Sequence, residues 1–503
     1  MNATVVLDQG GNATYTNLDV LSGKVIVRCS KSIDVTNILV KLEGESRTRL
    51  LSSTGPNGER PRPQLELHKV LYQVQMVFPP NNLPARKNGY TLSIGEHEYP
   101  FKFKIPINNY CTNDKSLMPA VSMSGTGFEV SRPPTHHVKR TLPPTISGFP
   151  GEAEIRYFVK TTITRPSFFK EARRAYAPFN FLPIENPRPP ETGSEIYARM
   201  KHSFMPYAEQ ENTNSKGKGF LGMRKELSVS SSSPEAPSIS VDARLPEPAI
   251  LTCNQKVPVR IIVKKLSNLN ATVHLQSLQI SLIGVTKIRA HEIHRAEHNS
   301  LVIMSNSNMR LPLEWPNDAA NSEVVLDSSM WQGQRLPVTV APSFEACNIS
   351  RLYHLDVRVG LSLQSSTKPQ NITLPLRLDC EVFSGIAPPP ALLEAQQKTS
   401  LRKSSTSAEF ISDKLRTEGR LPPEYGAEQV PATPIKTPGP SGVPQLPARP
   451  GDVLPPAYSE APPSYEDAVA TDLPPVTASR PQYAPPAAGA QDALLHGGDE
   501  KKG

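Results

Sequence analysis

The sequence predicts an all-β protein in which two β-sandwich domains precede a disordered, proline-rich tail. Short segments throughout residues 1–385 alternate between apolar and polar side chains, which is the period-two pattern of half-buried strands. Residues typical of turns separate these segments, and the first half contains no convincing long amphipathic helix. Many short strands divided by turns indicate a sandwich or a barrel.

The first predicted domain spans residues 1–185. The alternation of Ile38, Val40 and Leu42 with polar neighbours predicts one of its strands within residues 33–44. Residues 47–64 contain glycines and prolines and are predicted to be a loop. Further strands are predicted at the remaining alternating or apolar segments, residues 24–29, 69–78, 99–105 and 155–163.

A predicted linker or long loop at residues 186–241 separates this domain from the second, at residues 242–385. The linker is rich in proline, lysine, glycine and serine. In the second domain the clearest strand is residues 355–363, which alternate strictly between apolar and other side chains. Segments 257–263, 278–282 and 374–378 alternate as well, and Pro375 predicts an edge strand because proline cannot donate a ladder hydrogen bond.

The tail, residues 386–503, contains three Pro-Pro-x-Tyr boxes. Paired prolines favour polyproline II, so the segment loses little entropy when its prolines dock between the aromatic side chains of a WW domain. Tyr483 follows only one proline and is not counted as a box. The predicted WW-binding residues are Pro422, Pro423, Tyr425, Pro455, Pro456, Tyr458, Pro462, Pro463 and Tyr465.

Charge is distributed unevenly along the 503 residues, whose net charge is +8. The tail holds 11 Lys/Arg and 14 Asp/Glu, a net charge of −3, which leaves +11 on residues 1–385. A basic body suits an acidic protein ligand or peripheral contact with an anionic membrane, although an ordinary solvated surface is the alternative. Nucleic acid is not an expected partner, because no basic run is interleaved with aromatic residues.

The remaining signals favour a cytoplasmic protein without cofactors. No segment resembles a signal peptide, and no apolar stretch approaches the ~20 residues that a membrane span needs. The cysteines are odd in number and widely spaced without a C-x-x-C pair, so neither a disulfide framework nor a zinc site is predicted. They are Cys29, Cys111, Cys253, Cys347 and Cys380.

No catalytic or metal-ligating residues are predicted, and the protein is not expected to be an enzyme. Nucleophile elbows, phosphate-binding loops and dinucleotide fingerprints are absent from the sequence. His291 and His294 lie three residues apart with Glu292 beside the first, whereas a zinc-protease helix places its histidines four apart. On a strand these two histidines would face opposite ways, so a metal site is not expected there.

Three serines follow basic residues and are candidate phosphorylation sites: Ser228, Ser404 and Ser405. A phosphate on any of them would add nearly two negative charges and could recruit a phosphoserine-reading adaptor. The alternative is that serine-rich segments contain such matches by chance.

The body resembles the fungal α-arrestins. The resemblance lies in strand-like motifs that occur in the family's order, at residues 38–49, 99–106, 142–145, 151–159 and 281–288. It implies two arrestin-like β-sandwich domains, and family members typically carry Pro-Pro-x-Tyr boxes behind the second one. The fold alone does not specify a function, because unrelated sorting proteins share it.

The resemblance and the boxes together imply an adaptor that acts without catalysis. Such an adaptor recruits a WW-domain HECT-type E3 ubiquitin ligase to cytosolic segments of plasma-membrane transporters or receptors and promotes their ubiquitination and endocytosis. It would be cytoplasmic and peripherally recruited to the plasma membrane and endosomes. The alternative is an arrestin-fold sorting or signalling scaffold, for example in ambient-pH signalling, that acts without a ligase.

Overall fold

The computed structural model describes most of residues 1–394 and a short segment of the tail, residues 470–476. The stretches within residues 1–394 that lie outside the description are 12, 53–62, 81–88, 110, 112–120, 125–126, 131–133, 135, 150, 167–171, 206–235, 268–270, 317–318 and 365–368. Strands dominate the described part, as the sequence predicts.

The segments predicted as strands in the first domain all correspond to strands, and the structure adds further strands that the sequence did not predict. The bounds of all these strands are β1 (Asn2–Leu7), β2 (Thr14–Tyr15), β3 (Val20–Cys29), β4 (Ile33–Val35), β5 (Asn37–Leu51), β6 (Pro63–Phe78), β7 (Tyr90–Leu92), β8 (Gly95–Lys104), β9 (Val121–Ser124), β10 (Gly127–Val130), β11 (Ile146–Phe149), β12 (Ala153–Thr164) and β13 (Arg173–Phe181).

Two of these sheets form the first sandwich. One has the order β1-β3-β8, and the other has the order β2-β13-β12-β5-β6, with β11 beside β12. Apolar side chains at alternate positions of β3 and β5, such as Val25 and Leu42, are fully buried. This is the burial that the period-two pattern requires, because successive strand side chains point to opposite faces.

The second domain begins earlier than predicted. Its elements are β14 (Glu195–Ser203), β15 (Ser238–Pro246), β16 (Ile250–Thr252), β17 (Arg260–Lys265), β18 (Val273–Ala290), β19 (Ile293–Asn306), β20 (Leu311–Pro312), β21 (Glu323–Val325), α1 (Ser329–Gln332), β22 (Phe344–Glu345), β23 (Ile349–Leu363) and β24 (Gln370–Phe383).

A second pair of sheets encloses the core of this domain. The smaller sheet has the order β14-β15-β17-β21, and the larger has the order β16-β24-β23-β18-β19. Leu278, Val357 and Leu376 lie in the core between them. Trp331 of α1 is also buried, and its indole Nε1 donates a hydrogen bond to the carbonyl oxygen of Val259 at 3.3 Å. Two stacked β-sandwich domains are therefore confirmed.

Two predicted boundaries were wrong. Residues 195–203 lie in the predicted linker, but they form β14, the edge strand that pairs with β15. Its outward side chains are charged or polar, as edge strands often are, so its composition does not distinguish it from a linker. The predicted loop at residues 47–64 is shorter, because β5 continues to Leu51 and β6 begins at Pro63.

The predicted edge position of Pro375 fits the observed pairing. β24 pairs with β23 along its length, including Pro375 opposite Arg358. On the other side of β24, β16 pairs only with Glu381–Phe383. Pro375 therefore lies in a part of β24 that, among the described strands, has a ladder partner on one side only.

The described residues fall into two compact units. One contains residues 1–388 and 473–476, and the other contains residues 389–394 and 470–472. Within the first unit, Lys104 Nζ donates a hydrogen bond to the carbonyl oxygen of Leu473 at 2.6 Å. None of the helices in the described residues has the length and apolar character that would let it cross a bilayer.

Gly44 is required by close packing in the first sandwich. It lies in β5 opposite Tyr157, and a Cβ at this position would meet a ring carbon of Tyr157 at 2.6 Å and Leu71 Cβ at 2.9 Å. Tyr157 cannot easily move, because it is buried and its hydroxyl donates to the carbonyl oxygen of Pro143 at 2.6 Å. The Gly44→Ala variant should therefore overpack the core.

We expect Gly44→Ala to lower the free energy of unfolding by about 1–3 kcal/mol, the usual cost of an overpacked core. Urea denaturation of the full chain measures this. Gly11→Ala is the matched control, because nothing lies within 4 Å of the Cβ that it adds. Equal unfolding midpoints for the two variants would contradict the packing argument.

Candidate functional site

The sequence-predicted docking and modification residues lie outside the described part of the chain. This applies to all three Pro-Pro-x-Tyr boxes, at residues 422–425, 455–458 and 462–465, and to Ser228, Ser404 and Ser405. They remain predictions. The functional geometry that the structure does describe lies where the two sandwich domains meet.

A buried polar layer joins the two domains. We call it the interdomain layer; it consists of Ser46, Thr48, Glu66 and His68 from the first domain and Arg289, His291 and Asn348 from the second. The first group comes from the adjacent strands β5 and β6. Arg289 lies near the end of β18, His291 lies in the turn before β19, and Asn348 immediately precedes β23.

Glu66 is the centre of this layer, and its side chain is fully buried. One carboxylate oxygen, Oε1, accepts from Arg289 Nη2 at 2.8 Å, and the other, Oε2, accepts from the backbone N–H of His291 at 2.5 Å. Burial acts to raise the pKa of Glu66, but its hydrogen bonds with His68 and His291 and the charge of Arg289 outweigh burial and lower it. Glu66 is therefore held as a carboxylate.

Asn348 forms a second connection across the layer. Its Oδ1 accepts from Ser46 Oγ at 2.6 Å, and its Nδ2 donates to the Ser46 carbonyl oxygen at 3.3 Å and to Thr48 Oγ1 at 3.2 Å. Thr48 Oγ1 in turn donates to the Arg289 carbonyl oxygen at 2.6 Å. These bonds satisfy buried polar groups of both domains at once, so the relative position of the domains is tied to their formation.

A group of four side chains lies beside the layer. We call His68, Cys111, His137 and Cys347 the His–Cys cluster, because one nitrogen or sulfur atom from each lies within 4.8 Å of the others. His68 Nδ1 is 3.2 Å from Cys111 Sγ, and His137 Nδ1 is 3.1 Å from the same sulfur. Sequence analysis missed the cluster, because its members are separated by at least 26 residues and no short motif links them.

The sulfurs in the cluster differ in acidity. Hydrogen bonding with the Cys111 thiol lowers the pKa of Cys347, and His68 lowers it further. Burial acts to raise this pKa but is outweighed. The same sulfur–sulfur interaction raises the pKa of Cys111, and burial adds to this effect. Burial acts to lower the pKa of His68, but its hydrogen bonds to Cys347 and Glu66 outweigh it and raise the pKa. Cys347 is therefore the preferred thiolate.

The histidines that the sequence analysis considered and rejected do not form a shared ligand set. His291 lies in the turn between β18 and β19 with φ at 55°, and its Nε2 donates to the Leu65 carbonyl oxygen at 3.1 Å. His294 is exposed, and its Nδ1 lies 3.2 Å from the Glu292 carbonyl oxygen. Because they do not lie on one strand, the strand-alternation argument does not describe their geometry.

Comparison with known families identifies the first sandwich. The family model described as arrestin (or S-antigen), N-terminal domain, matches residues 3–178. A stretch of 119 residues of this chain is 31% identical to a protein of Lachancea thermotolerans named arrestin-related trafficking adapter 10. The match spans 21% of this chain and only 28% of that relative. The resemblance to fungal α-arrestins is confirmed.

A basic cleft opens beside the interdomain layer of this protein. Its volume is about 480 Å³. The basic side chains in its lining are Lys287, Arg289 and Arg295, together with His136. Glu345 is the acidic side chain in the lining. Arg289 and Arg295 are already paired, Arg289 with Glu66 and Arg295 with Glu152 and Glu297. These carboxylates offset the charge of the two arginines, so the positive charge that the lining offers to an incoming peptide comes mainly from Lys287.

The hydrogen bonds of Asn348 make a test of the interdomain layer. Asn348→Ala removes the cross-domain acceptor of Ser46 Oγ and one of the two cross-domain bonds of Thr48 Oγ1, which keeps its bond to the Arg289 carbonyl oxygen. We therefore expect the free energy of unfolding to fall by about 1–3 kcal/mol. Chemical denaturation of the full chain measures the loss. Asn371→Ala, at an exposed position of β24, is the control and should stay within about 0.5 kcal/mol of wild type. A variant at Asn348 as stable as this control would refute the bridging role.

Proposed function

We propose that this protein is a non-enzymatic trafficking adaptor that brings a WW-domain HECT-type E3 ubiquitin ligase to cytosolic segments of membrane transporters or receptors. The observation that carries the proposal is the combination of an arrestin N-terminal domain at residues 3–178 with three Pro-Pro-x-Tyr boxes at residues 422–465. Ubiquitination and endocytosis of the bound membrane protein would follow. The adaptor would work in the cytoplasm, recruited peripherally to the plasma membrane and endosomes.

The relative supports the coarser part of this proposal. Its name describes a trafficking adapter, and the stretch that this chain shares with it is 31% identical. The finer part, recruitment of a ligase, is supported by the sequence of the tail. Three boxes in one proline-rich segment far exceed the roughly 0.1 that random placement in such a composition would give.

The spacing of the boxes suits a ligase with several WW domains. Pro455 and Pro462, which start the last two boxes, are seven residues apart. In polyproline II this separation corresponds to about 22 Å. When one box is docked, its neighbour is held at a high effective concentration for a second WW domain, so the pair binds more tightly than either box alone. The first box, which ends at Tyr425, lies further away along the chain.

The basic cleft supports an acidic cargo segment. Lys287 lies at the cleft, and its charge would attract a carboxylate and increase the rate of association. The described strands β14 and β19 are at sheet edges, where an extended segment can add as a further strand. We propose that cargo is recognised by binding of this kind, while the tail supplies the ligase.

Phosphorylation of Ser404 or Ser405, beside basic residues of the tail, would let a phosphoserine-reading adaptor regulate the assembly.

Substitution of the box tyrosines tests ligase recruitment in the full-length protein. We expect the double variant Tyr458→Ala/Tyr465→Ala to bind a multi-WW HECT ligase at least ~10-fold more weakly than wild type, because both members of the tandem are lost. Tyr425→Ala should have a smaller effect. Titration of the purified ligase, read by calorimetry, measures the dissociation constants.

Tyr483→Ala is the matched control for these variants. It removes a tail tyrosine that follows only one proline, so it should bind the ligase as wild type does. If the double variant also binds as wild type does, or if wild type binds no WW domain, ligase recruitment through the boxes is refuted. A sorting or signalling scaffold that acts without a ligase would then explain the arrestin fold.

A further inference from the structure

We propose that the His–Cys cluster is a structural zinc site that ties the two β-sandwich domains together. Structural Zn²⁺ is held by four ligands in a tetrahedron, commonly two cysteines and two histidines, with Zn–S distances of about 2.3 Å and Zn–N distances of about 2.0–2.1 Å. Ligand atoms at such distances lie about 3.3–3.8 Å from one another. The four atoms of the cluster all lie within 4.8 Å of one another, so only small movements bring them to one ion.

The outer hydrogen bonds of both histidines prepare them as ligands. His68 Nε2 lies 2.7 Å from Glu66 Oε1, and His137 Nε2 lies 3.2 Å from the Pro134 carbonyl oxygen. A carboxylate and a carbonyl can only accept, so both Nε2 atoms carry protons and donate. Both Nδ1 atoms then face the sulfurs. Metal-binding histidines are oriented in this way, with the second nitrogen donating to a carboxylate or a backbone carbonyl.

The backbone also supports the sulfur of Cys347. The Val138 N–H donates to Cys347 Sγ at 3.3 Å, and Val138 follows the ligand His137 directly. A hydrogen bond from an N–H group stabilises a thiolate, which is the form of cysteine that binds metal. Cys347 and His68 are buried, whereas Cys111 and His137 are only partly so. The site is thus shielded on one side and has a path by which an ion can enter.

Packing alone does not explain why two cysteine sulfurs and two histidine nitrogens face one another in the cluster. Two sulfurs and two Nδ1 atoms face one another, so protons or a cation must lie between them. With protons alone, a neutral thiol can donate to only one imidazole nitrogen, yet both Nδ1 atoms lie 3.2 Å or less from Cys111 Sγ, which carries at most one proton. A Zn²⁺ ion replaces those protons and satisfies all four atoms, and soft thiolates with imidazoles favour zinc among the common divalent metals.

The alternative chemistry is a disulfide between Cys111 and Cys347. It would use the two sulfurs alone and leave both imidazole Nδ1 atoms without a function. The hydrogen bonds of His68 Nε2 and His137 Nε2, which turn both Nδ1 atoms toward the sulfurs, therefore favour a metal site over a disulfide. The ion would join three ligands of the first domain to Cys347, which precedes β23 of the second domain. Domain pairing would consequently depend on the metal.

Metal analysis of the full-length protein, purified under reducing conditions without chelator, tests the proposal. We expect one zinc per chain in wild type. The double variant Cys111→Ser/Cys347→Ser should retain only background metal. Cys253→Ser is the matched control, because Cys253 is a buried cysteine outside the cluster whose sulfur donates to the Val340 carbonyl oxygen, a bond that serine can also make. This control should keep its zinc.

A second measurement keeps the test independent of variants that fold poorly. Wild-type protein is treated with a strong chelator and then refilled with Zn²⁺ or Co²⁺. We expect removal of the metal to lower the melting temperature by about 4 °C or more, refilling with Zn²⁺ to restore it, and Co²⁺ to give thiolate-to-metal absorption bands. His137→Ala, which removes a partly exposed loop ligand, should weaken these bands.

Three results would overturn the proposal. One is zinc-free wild-type protein that does not take up Zn²⁺ or Co²⁺ when its thiols are reduced. Another is equal zinc in wild type and in the double cysteine variant. The third is a Cys111–Cys347 disulfide, found by peptide mapping of protein alkylated before any reduction, in the protein as purified.

Discussion

The buried carboxylate of Glu66 is the constraint on which the pairing of the two sandwiches depends. A buried charge costs several kcal/mol unless it is paired, and within the first domain His68 is the partner of Glu66. Its counter-charge, Arg289, and the N–H of His291 both come from the second domain. The domains are therefore held in the one arrangement that brings these donors to the two carboxylate oxygens. Hydrophobic burial stabilises each sandwich, but this ionic contact determines how they fit together.

The same carboxylate connects the interdomain layer to the His–Cys cluster. Glu66 Oε1 accepts hydrogen bonds from both Arg289 and His68. The orientation of the His68 ring therefore depends on the contact between the domains. Arg289 also donates to the Cys347 carbonyl oxygen at 2.7 Å, which positions the backbone of that cysteine. The cluster is consequently a product of domain pairing, and any ligand that it holds stabilises that pairing in return.

Sequence alone predicted the fold well where local pattern decides structure. The alternation through Leu355 and Val357 predicts a strand because each residue's exposure depends on its immediate neighbours. The prediction from sequence missed β14, because its outward charged side chains give it the composition of a linker. Its partner strand, β15, lies beyond the undescribed residues 206–235. The prediction could not find the His–Cys cluster either, because folding of the first domain and its pairing with the second bring the four members together, and no short motif encodes this.

The two halves of the proposed function, ligase binding by the boxes and cargo binding by the cleft, depend on different levels of structure. A Pro-Pro-x-Tyr box is recognised through a conformation that proline imposes locally, so its chemistry is already complete in the sequence. The basic cleft is different, since Lys287 and Arg295 line it together with Glu345 and Asn348 only when β18, β19 and the segment before β23 are assembled. Apart from His136, the residues that line the cleft belong to the second domain, so folding of that domain is what creates it. Under the proposed function, a variant that disrupts β18 or β19 would therefore lose the cleft, while the boxes, whose recognition is local, would still bind the ligase.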